Sequence, residues 1–207
     1  NFRKNDILNG GQGAPLASLY HKLIMTKIKL KLPSAIINIG GISNITYMDK
    51  NDKILSFDTG PGNYLIDEWI RNNSKLEFDS GGSIAKSGQI DKKILNKLLN
   101  NSYYKIKPPK SLDVKYFNLQ NLKKLSLQDG SATLSMLTVN SICVAIDKFK
   151  IFPKTILISG GGRKNKFIVD NIKKKLKCSI LLIDELNFNG DFTESQAFAY
   201  LAIRSYL

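Results

Sequence analysis

The sequence predicts one α/β domain on a mixed sheet, with antiparallel hairpins first and alternating helices and strands after them. Three observations carry this. Apolar strand-like runs at residues 35–39, 45–48 and 53–57 are joined by links of only a few residues. Such links suit antiparallel hairpins and are too short for the crossover that parallel neighbours need. From about residue 133 onward, helical periodicity alternates with short apolar runs at 155–158 and 179–183. No internal repeat or long linker divides the 207 residues, enough chain for one substantial core. Three hairpin strands followed by helix, strand, helix, strand, helix is not the order of a doubly wound dinucleotide fold.

Each element has its own signal. The start, NFRKNDILNGG, is polar and glycine-rich, GGQGAP reads as loop, and residues 16–25 (LASLYHKLIM) carry helical spacing. The three hairpin strands follow, then a helix from 64 to 70 and another over 84–99. YYKIKPPKSLD is a proline-bearing loop. Leu134, Leu137, Ile142, Ala145, Ile146 and Phe149 recur at helical spacing and predict a helix over 133–149. The strand at 155–158 runs into Gly160, Gly161 and Gly162. A lysine-rich helix over 165–176, a strand at 179–183 and a closing helix over 194–206 complete the domain.

Composition narrows the class. Hydrophobic residues make up 43% and charged residues 23%, ordinary for a globular chain. No apolar run approaches the roughly 20 residues of a membrane span, and the start has no signal-peptide pattern, so a cytoplasmic protein is expected, with no membrane partner. The net charge of +14 invites a nucleic-acid reading. The lysines, however, are spread through KIKLKL, DKKILNK, NLKKL and NIKKKLK, and base-reading and RNA-stacking motifs are missing. A solvated lysine surface is the preferred reading. Cys143 and Cys178 lie in apolar contexts and read as buried thiols, and His21 has no partner at ligand spacing, so no zinc site is expected.

Three glycine-bearing strings can carry chemistry. FDTGPGN (57–63) ends a strand on Asp58 and spends Gly60, Pro61 and Gly62 before a helix. It reads either as a turn with a helix cap or as a carboxylate aimed at a substrate that the glycines let approach. NIGGISN (38–44) is either an ordinary hairpin turn or a concavity of bare backbone amides for anionic oxygens. ISGGGR (158–163) is either a strand-to-helix turn or a place where a ring or phosphate meets the backbone at a helix start. Neither glycine run is a P-loop or a dinucleotide fingerprint. The two are expected to face one cleft.

Together, the glycine hairpin, the strand-end aspartate and the strand-GGG-helix resemble a nucleotide-binding half of the sugar kinase, heat-shock protein and actin superfamily. NFRKNDILNGGQGAPL, INIGGISNITY, FDTGPGNYLID, PPKS, DGSATL, SGGGRKN and FTESQAFAYLAIR resemble anhydro-N-acetylmuramic acid kinase over nearly the whole chain. The resemblance implies an actin-like ATPase (ribonuclease H-like) lobe: a mixed sheet with antiparallel hairpins covered by helices. It divides the chain into an interlobe segment and sugar-site helix (1–34) and a C-terminal nucleotide-binding kinase lobe (35–207). It also implies ATP, Mg²⁺ and water used to open the anhydro bridge of 1,6-anhydro-N-acetylmuramic acid and to phosphorylate its 6-oxygen, in peptidoglycan recycling. By the same resemblance Asp58 is the catalytic base. Arg3, Gly60, Gly62 and Glu194 serve the sugar, Gly40, Gly41 and Asn44 the phosphates, and Gly160, Gly161 and Gly162 the adenosine. No protein metal ligand is assigned, and a homodimer is left open.

The family's first glycine-serine-threonine phosphate loop, of the form SGTSxDG, is not found in the sequence, and the family aspartate before Phe2-Arg3 is Asn1 here. The chain is therefore expected to be a fragment lacking the N-terminal lobe. Two alternatives stay open: a nucleotide- or sugar-binding module without turnover, and a basic nucleic-acid binder.

Overall fold

The computed structural model describes residues 2–10, 13, 15–113 and 116–206. Five strands form one sheet: β1 (Ser34–Ile39), β2 (Ile42–Met48), β3 (Ile54–Pro61), β4 (Thr155–Ser159) and β5 (Ser179–Leu182), in the order β3-β2-β1-β4-β5. The β1/β2 and β2/β3 pairs are antiparallel, and the β1/β4 and β4/β5 pairs are parallel. The expected hairpins and mixed sheet are both present.

Helices cover both faces. Strand side chains alternate between faces, so Ala35, Ile37 and Ile39 join one core with Ile156, Ile158 and the helices α3 (Tyr64–Asn73), α6 (Leu127–Ile146) and α7 (Lys166–Lys175). Ile36 and Leu157 face the other way and pack with Ile24 and Met25 of α2 (Ser18–Lys27). Burial on both sides explains why β1 and β4 are short unbroken apolar runs rather than alternating ones. A short α1 (Phe2–Leu8) and a closing α8 (Thr193–Arg204) flank the hairpin end of this second face, and α8 packs on α2.

Several boundaries differ from the sequence reading. Residues 2–8, to which the sequence assigns no element, form α1, which buries no residue. The helix expected over 84–99 is two, α4 (Ser83–Ser87) and α5 (Lys92–Leu99). They are separated at Gly88, where a Cβ would strike the Gln128 carbonyl, and Asp91 caps the second through the Ile94 amide (2.9 Å). The helix expected from 133 starts at Leu127, capped by Ser126 through the Asp129 amide (3.1 Å). Gly130 looks like a break in the sequence, yet it lies inside α6 because the Trp69 indole occupies the space of its side chain.

Two composition readings also change. Helix α6 is long and apolar enough by length and composition to cross a membrane, and 78% of its most apolar window is buried within the protein, as expected for a core helix. Cys143 and Cys178 are only partly buried, and Cys178 precedes β5 rather than lying in it. Burial still pushes the Cys143 thiol up to about 11, which keeps it protonated and unreactive at neutral pH.

Candidate active site

The site begins at an irregularity in β2/β3. Asn44 pairs with Asp58 and Ser43 with Gly60, so Thr59 is an extra residue on β3. A bulge of this kind bends the strand and re-aims its side chains. Thr59 closes it by donating to the Ser43 carbonyl (3.1 Å). Asp58 and its neighbour Asn44 then line one cavity of about 280 Å³.

Asp58 is 5% exposed. Its Oδ2 accepts from the Leu112 amide (2.8 Å), its own amide donates to the Lys110 carbonyl (3.0 Å), and its carbonyl accepts from the Tyr103 hydroxyl. The loop containing PPKS thus runs along the outer edge of β3 and holds the aspartate in place. Burial pushes the Asp58 carboxyl above the ordinary aspartate range, while the Leu112 amide and the charges of Arg3 and Lys110 pull against that. The carboxylate does not cap α3. That helix begins at Asn63, and its first amides are met by the hairpin turn: Asn63 donates to the Gly40 carbonyl (2.8 Å) and Tyr64 to the Gly41 carbonyl (3.1 Å). The helix-cap reading of FDTGPGN is thereby overturned.

The same cavity collects Arg3 of α1, His21 of α2, Gly40 and Gly41 of the hairpin turn, and Glu194 in the first turn of α8. Arg3, Gly40, Gly41, Asn44, Asp58 and Glu194, drawn from both ends of the chain, therefore meet. The amides of Gly40 and Gly41 make no hydrogen bond to the described residues, so the turn offers bare donors.

Gly60 and Gly62 do not line this cavity. A Cβ on Gly60 would press on Ser141 of α6 at 2.7 Å, and one on Gly62 would overlap the Gly40 carbonyl. Both are buried, and both are small because the strand end packs against α6 and the hairpin turn. Their packing seats the Asp58 strand.

Gly161 and Gly162 line a second cavity of about 300 Å³, with Asn63, Asp67, Phe78 and Asp79. The expected single cleft is thus two cavities on either side of the hairpin turn. The loops nevertheless touch. Gly160 has φ +76°, and its Cβ would meet the Asn38 Oδ1 at 2.5 Å and the Ile39 carbonyl at 2.7 Å, so only glycine fits. Gly160 itself lines neither cavity. Arg163, 5% exposed, donates to the Gly160 carbonyl (3.0 Å), to Asp184 and to Asp191 (3.0 Å). It thereby joins the triple-glycine loop to the segment that leads into α8.

Sequence reasoning missed Leu112, Lys110 and Tyr103 as the support of Asp58, and Asn38, Thr193 and His21 as cavity lining. PPKS was the available signal for the first group. His21 was set aside for want of a metal-ligand partner, although a lone histidine in an apolar helix face is itself a signal.

A mixed sheet whose antiparallel hairpin end and triple-glycine turn lie beside two cavities is the lobe of an actin-like ATPase fold. A solved structure of that kind is similar: the activator of the 2-hydroxyisocaproyl-CoA dehydratase from Clostridium difficile with bound ADPNP, at TM-score 0.54 and 14% identity, over 87% of this chain and 63% of that one. Within this class, residues 1–206 match the family model described as anhydro-N-acetylmuramic acid kinase, and the chain belongs to that family. Similar relatives carrying that description include those of Pelagibacter ubique (43% identical, 100% of this chain and 58% of that protein), Rhodospirillum rubrum (41%, 98% and 54%) and Zymomonas mobilis (37%, 98% and 55%). The chain spans somewhat over half the length of these relatives.

Proposed function

We propose that this chain supplies the catalytic base and the nucleotide side of an ATP-dependent kinase acting on 1,6-anhydro-N-acetylmuramic acid, a sugar released in peptidoglycan recycling. Family membership supports the reading. The observation that carries it is Asp58: a buried carboxylate on a cavity floor, one oxygen held by the Leu112 amide and the other without a hydrogen bond among the described residues.

In this reading Asp58 accepts a proton from a water whose oxygen bonds to C1 of the sugar. The C1–O6 bond breaks, and O6 bonds to the γ-phosphorus as ADP leaves. A base must be ionised and within hydrogen-bond reach of that water. The buried setting and the fixed Oδ2 leave Oδ1 as the accepting atom. Arg3 and Glu194 orient the sugar from opposite walls, and the bare amides of Gly40 and Gly41 receive phosphate oxygens. Gly161 and Gly162, with Asp67 and Phe78, form the side for the nucleoside.

Magnesium is bound in such sites by one or two carboxylates together with substrate phosphates and water. The Asn44 Oδ1, a cavity-lining oxygen with no protein partner, would suit it beside the phosphate oxygens, leaving the Asp58 Oδ1 for the water. When bound it neutralises charge on the phosphates. A cytoplasmic location and a division of roles between residues 1–34 and 35–207 belong to the same proposal.

A second reading, binding without turnover, is favoured by the chain's spanning only 54–58% of its relatives. Incubation with ATP, Mg²⁺ and the anhydro sugar in ¹⁸O-water separates them, in this chain and in the product of the whole reading frame. The kinase reading expects the 6-phosphate with heavy oxygen on C1. Heavy oxygen appearing only in free phosphate would mean ATP hydrolysis and overturn it. Binding without product in either protein would leave the second reading.

A further inference from the structure

Deep in the same cavity lies a group that the proposed chemistry does not use. His21 is 1% exposed and lines the cavity from α2. Its Nδ1 lies 2.8 Å from the Thr46 Oγ1, which lies 3.0 Å from the Ser56 Oγ, which donates to the Ile45 carbonyl (3.1 Å). A carbonyl can only accept. The Ser56 proton is therefore spent on Ile45, the Thr46 proton on Ser56, and Thr46 must receive its hydrogen bond from Nδ1–H. This row of donors fixes the ring in the Nδ1–H tautomer and leaves Nε2 a lone-pair acceptor. Among the described residues Nε2 has no hydrogen-bond partner. Burial lowers the His21 pKa to about 4, so the ring stays neutral across the physiological range.

Position gives this acceptor a role. Asn44 pairs with Asp58 and Thr46 with Ser56, two residues further along the same strands. A separation of two residues returns to the same face of the sheet, displaced by about 7 Å. The sheet face under the cavity thus carries one row with an ionisable group, Asn44 and Asp58, and beside it a neutral row, Thr46 and Ser56, bonded to the cavity-lining His21. Two buried polar atoms of the lining, the Asn44 Oδ1 and the Thr193 Oγ1, have no protein partner. Unpaired polar atoms gathered in one cavity are costly unless a ligand completes them.

We propose that His21 is a specificity-determining residue of this cavity, its Nε2 taking a hydrogen bond from a hydroxyl or amide N–H of the bound sugar. The inference rests on the sugar-kinase reading, and it adds that the site selects a neutral donor at the end away from Asp58. A cationic substituent at that end would gain no counter-charge from a neutral ring.

His21 is the single histidine in the chain, so ¹⁵N-histidine labelling reports on this ring alone. Without ligand, the spectrum should show the Nδ1–H tautomer, unchanged from pH 8 to about 5.5. Saturation with 1,6-anhydro-N-acetylmuramic acid, followed in parallel by calorimetry, should shift Nε2 as it accepts a hydrogen bond and leave Nδ1 protonated. His21→Gln, which keeps an acceptor, should bind the sugar within a few-fold of the native chain, whereas His21→Leu should weaken binding by roughly tenfold or more. An Nε2–H tautomer, or sugar bound with Nε2 unmoved, overturns the role of His21 alone, because a histidine that merely packs predicts an unmoved ring. No sugar binding by this chain or the whole product overturns the sugar reading of the cavity, and the ligand assigned to His21 with it.

Discussion

Asp58 carries a stability cost that its chemistry explains. Its folded-state pKa is raised, so the folded protein holds its proton more tightly than the unfolded chain does. Stability from this group is therefore present below the unfolded value and lost as pH rises through the folded one. At neutral pH the ionised carboxylate is destabilising. Asp58→Asn should keep or raise the melting temperature while lowering turnover of the whole kinase by roughly 10²–10⁴-fold, the usual cost of a positioned base. Unchanged turnover in the folded variant would place the base elsewhere. For the native enzyme, kcat/KM should begin to fall on the acid side at a higher pH than a free aspartate would give.

Lys110 behaves in the opposite sense. Its Nζ donates to the Tyr103 carbonyl (2.8 Å) and lies 3.7 Å from the Tyr103 ring centre. Burial, with Lys148 close by, lowers its pKa to about 8. A depressed folded value means that stability from this group appears as pH rises from about 8 toward the unfolded value. Tyr103 and Tyr104, raised by burial, act against this only at higher pH. Because the partly buried Cys143 thiol, raised to about 11, opposes this in the same window, the unfolding free energy should rise between pH 8 and 9.5 by about 1 kcal/mol more in the native chain than in Lys110→Met. A rise of the same size in the variant would assign it to other groups. Of these two residues, the sequence pointed to Asp58 through its motif. Lys110 was hidden, because its environment is made by tyrosines and a lysine brought together only in the folded loop.

At the level of elements, one side chain ties the triple-glycine turn to the segment before α8. Arg163 holds the Gly160 carbonyl on one side and Asp184 and Asp191 on the other, and a Cβ on Gly190 would run into its guanidinium. Asp184 is drawn below the usual aspartate range, first by its hydrogen bond from Arg163. The two acids are about half exposed, so their loss of a partner is partly screened. The Gly160 carbonyl and the packing of the buried guanidinium are not. Arg163→Met should cost about 2–3 kcal/mol and speed amide exchange in residues 188–192 ahead of the rest of the molecule. Arg163→Lys should restore less than half, since an ammonium lacks the fork that reaches three partners. Uniform exchange across the molecule would show a simple loss of core stability. Periodicity and glycine strings made the strands, the hairpin turn and the triple-glycine turn legible beforehand. The Arg163 link was not, because it depends on two acids 21 and 28 residues further along the chain. The early start of α6 was hidden because Trp69 fills the space at Gly130 and overrides its local signal, whereas the break at Gly88 agrees with the local signal of a glycine in a helical pattern.

Across the whole molecule, the net charge of +14 is set against a cavity system that asks for no nucleic acid. The lysines of the four basic runs are exposed on different elements: Lys27 and Lys29 at and after α2, Lys92 and Lys93 on α5, Lys123 and Lys124 before α6, and Lys173, Lys174 and Lys175 on α7. A duplex is met along one face, and its affinity falls with salt in proportion to the phosphates neutralised together, with a slope of about −0.9 for each. Charge scattered over several elements engages few phosphates at once. Binding to a labelled duplex should therefore be weak, show a log–log salt slope shallower than about −4, and be lost near physiological ionic strength. Lys173→Glu together with Lys174→Glu should change that slope by no more than about two, with no effect on binding of ATP or the sugar. A slope near −8 with retention at physiological salt would mean that the lysines do share a face, and the nucleic-acid reading would then displace the solvated-surface one.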